Sequence, residues 1–163
     1  QPLKHSVPCI GFSFIQKDKL RINVSRAEKL KLSGPILGEL QKGEDVMFKG
    51  KLLKSSDITY PVLGKKISYI ADTSICDGAN ALARDADLLI SEGTHLSELG
   101  EKIEKYMHLT VKDAALIASE NNSKKLVITH ISPRYKETSE IIAEAKTYFD
   151  NTVVAEDFMK FKI

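Results

Sequence analysis

From Lys66 to Ala155 the chain repeats one pattern: a short apolar run, a polar stop, then a segment whose apolar residues recur at helical spacing. The runs are Ile67 to Ala71, Leu88 to Ile90, Leu126 to Thr129 and Thr152 to Ala155. Between them, residues 79–86, 111–121 and 139–149 read as helices. Ala114, Ala115 and Ala118 face inward on the second, and Ile141, Ile142 and Ala145 on the third. Short runs that are apolar throughout belong to strands buried on both faces, and strands alternating with helices make a largely parallel sheet. The fold class that follows is α/β. Such sheets place their sites beyond the carboxyl ends of the strands.

The residues at those ends carry chemistry. The first run stops at Asp72, the second at Glu92, and the third delivers His130 within Thr129-His-Ile-Ser-Pro-Arg-Tyr135. His5 and His108 stand in loops. Two imidazoles and a carboxylate suit zinc, and an Asp can bridge two ions through its two oxygens. Arg134 follows His130 at a distance from which a guanidinium can hold a phosphate by paired hydrogen bonds. On the residues alone, blander readings stay open. A single His at a strand end is more often structural than a ligand. Asp72 in Ala-Asp-Thr-Ser suits an Asx turn or a helix cap, and Glu92 before Gly93 suits a solvated turn. His95 is expected at the surface.

A chain of 163 residues with 42% hydrophobic and 28% charged residues is an ordinary globular domain, and no apolar stretch reaches membrane-span length. Cys9 and Cys76 make neither a disulfide framework nor a zinc-ribbon spacing, so a reducing, cytoplasmic setting is expected. The net charge of +2 does not by itself announce a nucleic-acid partner. Its distribution is more telling. Residues 17–66 hold twelve Lys or Arg against six acids. Their elements read as short: a helix capped by Ser25 and running to Leu32, a break at Gly34-Pro35, a second helix through Ile36, Leu37 and Leu40 closed by Gly43, and a hairpin about Gly50. This stretch reads as a basic α+β arm inserted into the domain. Strands are expected at 11–15 before it and at 158–163 at the end.

Four ordered segments, Gly64 to Thr73, Asp87 to Thr94, His108-Leu-Thr110 with Ala114-Ala115, and Thr129 to Tyr135, resemble ribonuclease Z. That family comprises the tRNA 3′-processing endonucleases of the metallo-β-lactamase superfamily. His5 followed by Gly11-Phe12 resembles the histidine motif that opens the second half of that enzyme, and Val154-Ala-Glu-Asp157 its closing strand. Ser33-Gly34-Pro35 is similar to the Gly-Pro element of its tRNA-gripping arm.

The resemblance implies that residues 1–163 are the C-terminal half of a metallo-β-lactamase αββα sandwich, with residues 17–66 as a tRNA-binding arm. It implies two zinc ions per complete site, with His5 a ligand of one, His130 of the other, and Asp72 the bridge. It implies His108 as the acid that protonates the departing 3′ oxygen, Glu92 as the group orienting its ring, and Ser132 and Arg134 as phosphate contacts. Gly34 and Pro35 would contact RNA. Precursor tRNA is the implied substrate and a homodimer the implied assembly. Leu109 stands where the family usually has Ser, Gly93 where it has Ala, and Ser91 where it has His. The family's His-x-His-x-Asp-His motif has no match here, so the chain alone is expected to be inactive. The competing expectations are another metallo-β-lactamase-fold phosphodiesterase acting on a small substrate, and a non-catalytic binding or dimerisation module.

Overall fold

The computed structural model describes residues 1–99 and 106–163. They form two compact units, Gln1–Ile15 with Lys65–Ile163, and Gln16–Gly64. The larger unit opens with strands β1 (Pro2–Leu3), β2 (Cys9–Ile10) and β3 (Phe12–Ile15). Ile15 and Lys66 are cross-strand partners, so the smaller unit is inserted at the tip of an antiparallel strand pair.

The smaller unit holds β4 (Lys19–Ile22), α1 (Val24–Lys29), α2 (Pro35–Lys42), β5 (Val46–Phe48), β6 (Lys51–Leu53), α3 (Ser55–Ile58) and β7 (Thr59–Val62). Its strands β4 and β7 pair antiparallel, and β5 and β6 form the hairpin expected about Gly50. Lys49 and Gly50 both take positive φ, which matches the twist of a two-residue turn to that of its strands. The cap of α1 is Asn23 rather than Ser25: the Asn23 side chain accepts the Arg26 N–H. Gly34 adopts φ 71°, ψ −150°, a conformation essentially confined to glycine, and Pro35 then starts α2 where a missing N–H costs nothing. Ala27, Leu32, Leu40, Val46 and Ile58 make a small core of its own.

The chain then runs through β8 (Lys66–Ile70), α4 (Asp77–Ala83), β9 (Leu88–Glu92), α5 (Val111–Glu120), β10 (Leu126–Thr129), α6 (Ser139–Tyr148) and β11 (Thr152–Val154). Among the described residues five strands form one sheet in the order β11-β10-β9-β8-β3. The four on the β11 side are mutually parallel and β3 is antiparallel. Phe158–Ile163 forms no strand, contrary to the sequence pattern. Phe158 is 98% exposed, so alternation there reflects no buried face.

One face of the sheet is covered. Ile70, Leu89, Leu126, Ile128 and Val154 meet Leu82 and Ala83 of α4, Ala115 and Ala118 of α5, and Ile141 and Ala145 of α6 in one cluster. On the opposite face, register places Phe12, Tyr69, Ile90 and Val127 in one row. Phe12 stacks on Tyr69, yet Phe12 and Phe14 stay 45% and 68% exposed. Among the described residues no helix is long and apolar enough to cross a membrane.

Candidate metal and phosphodiester site

The carboxyl ends of three neighbouring parallel strands build the site. Asp72 lies just past β8, Glu92 ends β9, and His130 follows β10. Asp72 and His130 have φ of 53° and 52°, and Met107, which precedes His108, has 56°. Left-handed backbone is uncommon outside glycine, and at Asp72 and His130 it turns the chain sharply just past the ends of β8 and β10. His5 comes from the loop between β1 and β2. That loop is tied down because Lys4 accepts the Ser74 N–H and donates its own N–H to Thr73 Oγ1. His108 sits just before α5, whose start is fixed by a reciprocal cap: Thr110 Oγ1 accepts the Asp113 N–H, and Asp113 Oδ2 accepts the Thr110 N–H.

Glu92 is the hub. Its side chain is fully buried. Oε1 accepts the Thr73 N–H. Oε2 accepts the Thr94 hydroxyl at 2.7 Å and lies 2.8 Å from His108 Nδ1 and 3.3 Å from His130 Nδ1. A buried carboxylate demands this many donors. The two rings thereby turn Nδ1 to Glu92 and are left with Nε2 for anything else. His130 Nε2 approaches Asp72 Oδ1 at 3.6 Å. One ligand atom each from Asp72, His108 and His130 lies within 4.8 Å of the others. The His5 ring is 5.3 Å from that of His108, centroid to centroid, and its Nδ1 is 3.4 Å from the Met107 carbonyl. His5 therefore borders the cluster without joining that close set.

Two imidazoles whose second nitrogens are held by one carboxylate, beside a carboxylate presented from a left-handed turn, fit a zinc ion by donor type. Ser132 and Arg134 line a cleft of about 480 Å³ together with His108 and His130. The Ser132 N–H donates to the Thr94 carbonyl at 3.0 Å, which zips the His130 loop to the Thr94 loop. Gly34 and Pro35 lie in the smaller unit and are exposed.

Several residues escaped the sequence. His95 is 9% exposed rather than a surface residue, because its backbone pairs with Thr110 and Val111 and draws it inward. Tyr135 Oη accepts the Leu96 N–H, and Glu144 on α6 accepts the N–H groups of Ser97 and Lys112. Their roles rest on partners tens of residues away, which no local pattern announces. Gly93 has a structural reason: a Cβ there would lie 2.8 Å from Ile128 Cγ2 and 3.4 Å from Val111 Cα.

No family model matches the chain. Among curated proteins, it is 38% identical to Ribonuclease Z of Methanosarcina acetivorans over 98% of this chain and 54% of that protein. It is 38% identical to Ribonuclease Z of Picosynechococcus sp. over 99% of this chain and 54% of that protein. The chain thus spans about half the length of the curated relatives it matches. Among solved structures, human tRNase Z, short form, superposes with a TM-score of 0.52 at 26% identity, covering 97% of this chain and 39% of that one. The metallo-beta-lactamase fold protein YhfI of Bacillus subtilis superposes with a TM-score of 0.51 at 29% identity, covering 56% of this chain and 37% of that one. The chain is thus similar, over nearly its whole length, to about half of ribonuclease Z, and its α/β architecture is of the metallo-β-lactamase type.

Proposed function

We propose that this chain is the C-terminal half of a zinc-dependent endoribonuclease that removes 3′ trailers from precursor tRNA. The observation that carries the reading is the convergence of Asp72, His108 and His130 around the buried Glu92, at adjacent strand ends. The half-length match to ribonuclease Z, and the exposed Phe12, Phe14 and Tyr69 at the β3–β8 end of the sheet's other face, support a second half packed there, as in an αββα sandwich.

Asp72 and His130 would hold zinc, with His5 from the bordering loop. Zinc, when bound, would supply Lewis acidity toward water and the phosphate. His108 donates a proton to the departing 3′ oxygen from Nε2, and Glu92 on Nδ1 stabilises the protonated ring and fixes its orientation. Arg134 neutralises the phosphate, and Ser132 adds a hydrogen bond at the mouth of the cleft. Of the residues in Gln16–Gly64, ten are Lys or Arg and six are acidic, an excess suited to gripping an RNA backbone without reading bases. Gly34 and Pro35 present an exposed bend within it. A cytoplasmic homodimer is the assembly that goes with this reading.

One observation favours a variant of it: His108 belongs to the close ligand set, whereas His5 borders it. In that variant His108 is a zinc ligand. A single experiment addresses both. The chain is combined with an N-terminal ribonuclease Z half carrying His-x-His-x-Asp-His, and zinc content and precursor tRNA cleavage are measured. Trailer removal with wild-type His108, and its loss with zinc retained in His108→Ala, is the expected result. Zinc lost together with activity selects the ligand role. Tight zinc binding with no cleavage of RNA removes the nuclease reading, and turnover of a small phosphodiester alone selects the small-substrate alternative.

A further inference from the structure

The cleft contains a buried polar side chain to which no role has yet been given. His95 lines it beside His108, His130, Ser132 and Arg134, and only 9% of the residue is exposed. Its backbone is held rigidly: the His95 carbonyl accepts the Val111 N–H at 2.8 Å, and the flanking Thr94 N–H donates to the Leu109 carbonyl at 3.0 Å. The ring lies 6.5 Å from that of Tyr135, tilted by 59°. Its Nδ1 is fully enclosed and, among the described residues, has no hydrogen-bond partner.

A structural histidine in a core normally uses its buried nitrogens, because leaving one unmet costs about 1–3 kcal/mol. An orphaned N–H is the worse of the two ways to leave it, so the proton belongs on Nε2. The ring then has one polar atom to offer the cleft, and that atom is a donor. Burial holds the ring below the ordinary histidine range, and the Arg134 guanidinium pushes in the same direction. A neutral N–H donor next to a permanent cation is a pairing suited to an oxyanion that carries several acceptor lone pairs.

We propose that His95 is a phosphate-contacting residue of the cleft, its Nε2–H donating to a non-bridging oxygen of the same phosphodiester that Arg134 neutralises. This rests on the reading of the cleft as an RNA site and adds to it the side chain that fixes where the phosphate sits. His95 is not among the residues whose ligand atoms form the close set, which separates this role from metal binding.

The test uses the full 163-residue chain with ¹⁵N-labelled histidine, titrated with inorganic phosphate, and then the chain recombined with an N-terminal half. His95 is expected in the Nε2–H tautomer, with its Nε2 resonance moving saturably on phosphate addition. His95→Phe and Arg134→Ala are each expected to weaken phosphate about tenfold, and His95→Gln, which keeps a donor, to recover part of the loss. In the recombined enzyme, His95→Phe is expected to raise KM for precursor tRNA about tenfold with a smaller change in kcat. Phosphate binding that leaves the His95 resonances unmoved overturns the proposal, as does the absence of any phosphate binding. A His95 response to phosphate without RNA cleavage by the recombined enzyme keeps this contact and removes the nuclease reading instead.

Discussion

The Nδ1 of His108 lies 2.8 Å from Oε2 of Glu92, and that carboxylate has no exposed surface. The pair decides what the imidazole can do. A proton on Nδ1 is held by the carboxylate, the opposite nitrogen faces the cleft, and the positive charge gained when the ring protonates is met at once by a neighbouring negative charge. Glu92→Gln keeps the shape and removes that charge. In the recombined enzyme it is expected to lower kcat about 10- to 100-fold, and His108→Ala about 100- to 10,000-fold. Steady-state cleavage of precursor tRNA measures both. Equal rates for wild type and Glu92→Gln would show the carboxylate to be only a structural hub.

A second expectation concerns Glu144. Its carboxylate accepts the Ser97 N–H, the Ser97 hydroxyl and the Lys112 N–H, so one side chain on α6 ties down both the Ser97 turn and the first turn of α5. The Lys112 N–H is among the donors that a helix start leaves unmet. Glu144→Ala is expected to destabilise the chain by about 1–3 kcal/mol and to speed amide exchange at Ser97 and Lys112 before the sheet opens. Unchanged exchange at those two amides would refute the staple.

A third rests on acid behaviour. Burial of Asp87 works to raise its pKa, but hydrogen bonds from Lys124, the Lys66 N–H and Lys65 outweigh it and bring the value down from 3.8 to about 2. A carboxylate whose folded pKa is depressed stabilises the fold fully above 3.8, and that contribution fades as pH falls toward 2. Asp87→Asn is therefore expected to unfold more easily at pH 7, by about 1–2 kcal/mol, with the gap from wild type closing between pH 4 and pH 2. Urea unfolding at pH 7, 4 and 2.5 checks it. A gap that is constant with pH would mean the ionised form contributes nothing.

The insertion offers a fourth. Because Ile15 and Lys66 are paired across β3 and β8, residues 16–65 can be excised and the strands rejoined through a two-residue Asn-Gly turn. The recombined enzyme lacking them is expected to lose precursor tRNA cleavage while still hydrolysing a small phosphodiester. Equal loss on both substrates would argue against the inserted unit as an RNA handle.

How much of this was legible from the sequence follows from range. Strands β8 to β10 and helices α5 and α6 announced themselves because each is written in consecutive residues, by an apolar run or by apolar residues three and four apart. Asp72, Glu92 and His130 were legible for the same reason, as the polar residue that stops each run. Strands β4 and β7 were missed because Lys19, Arg21 and Pro61 interrupt any apolar signal and their pairing spans about forty residues. Helix α3 is a single turn, too short for a period to show. The enclosure of His95 and the reach of Glu144 and Tyr135 depend wholly on tertiary partners, so no window of sequence could hold them.

Asp72 occupies a backbone conformation that glycine would adopt without steric cost, and its Oδ1 lies 3.6 Å from His130 Nε2. Asp72→Gly is thus expected to melt at a higher temperature than wild type, through relief of about 1 kcal/mol at that turn, while abolishing zinc uptake. Robustness and turnover therefore pull on this position in opposite directions. A laboratory evolution scheme rewarding heat resistance alone would drift toward glycine here and discard the chemistry, so any such library needs a catalytic readout in every round.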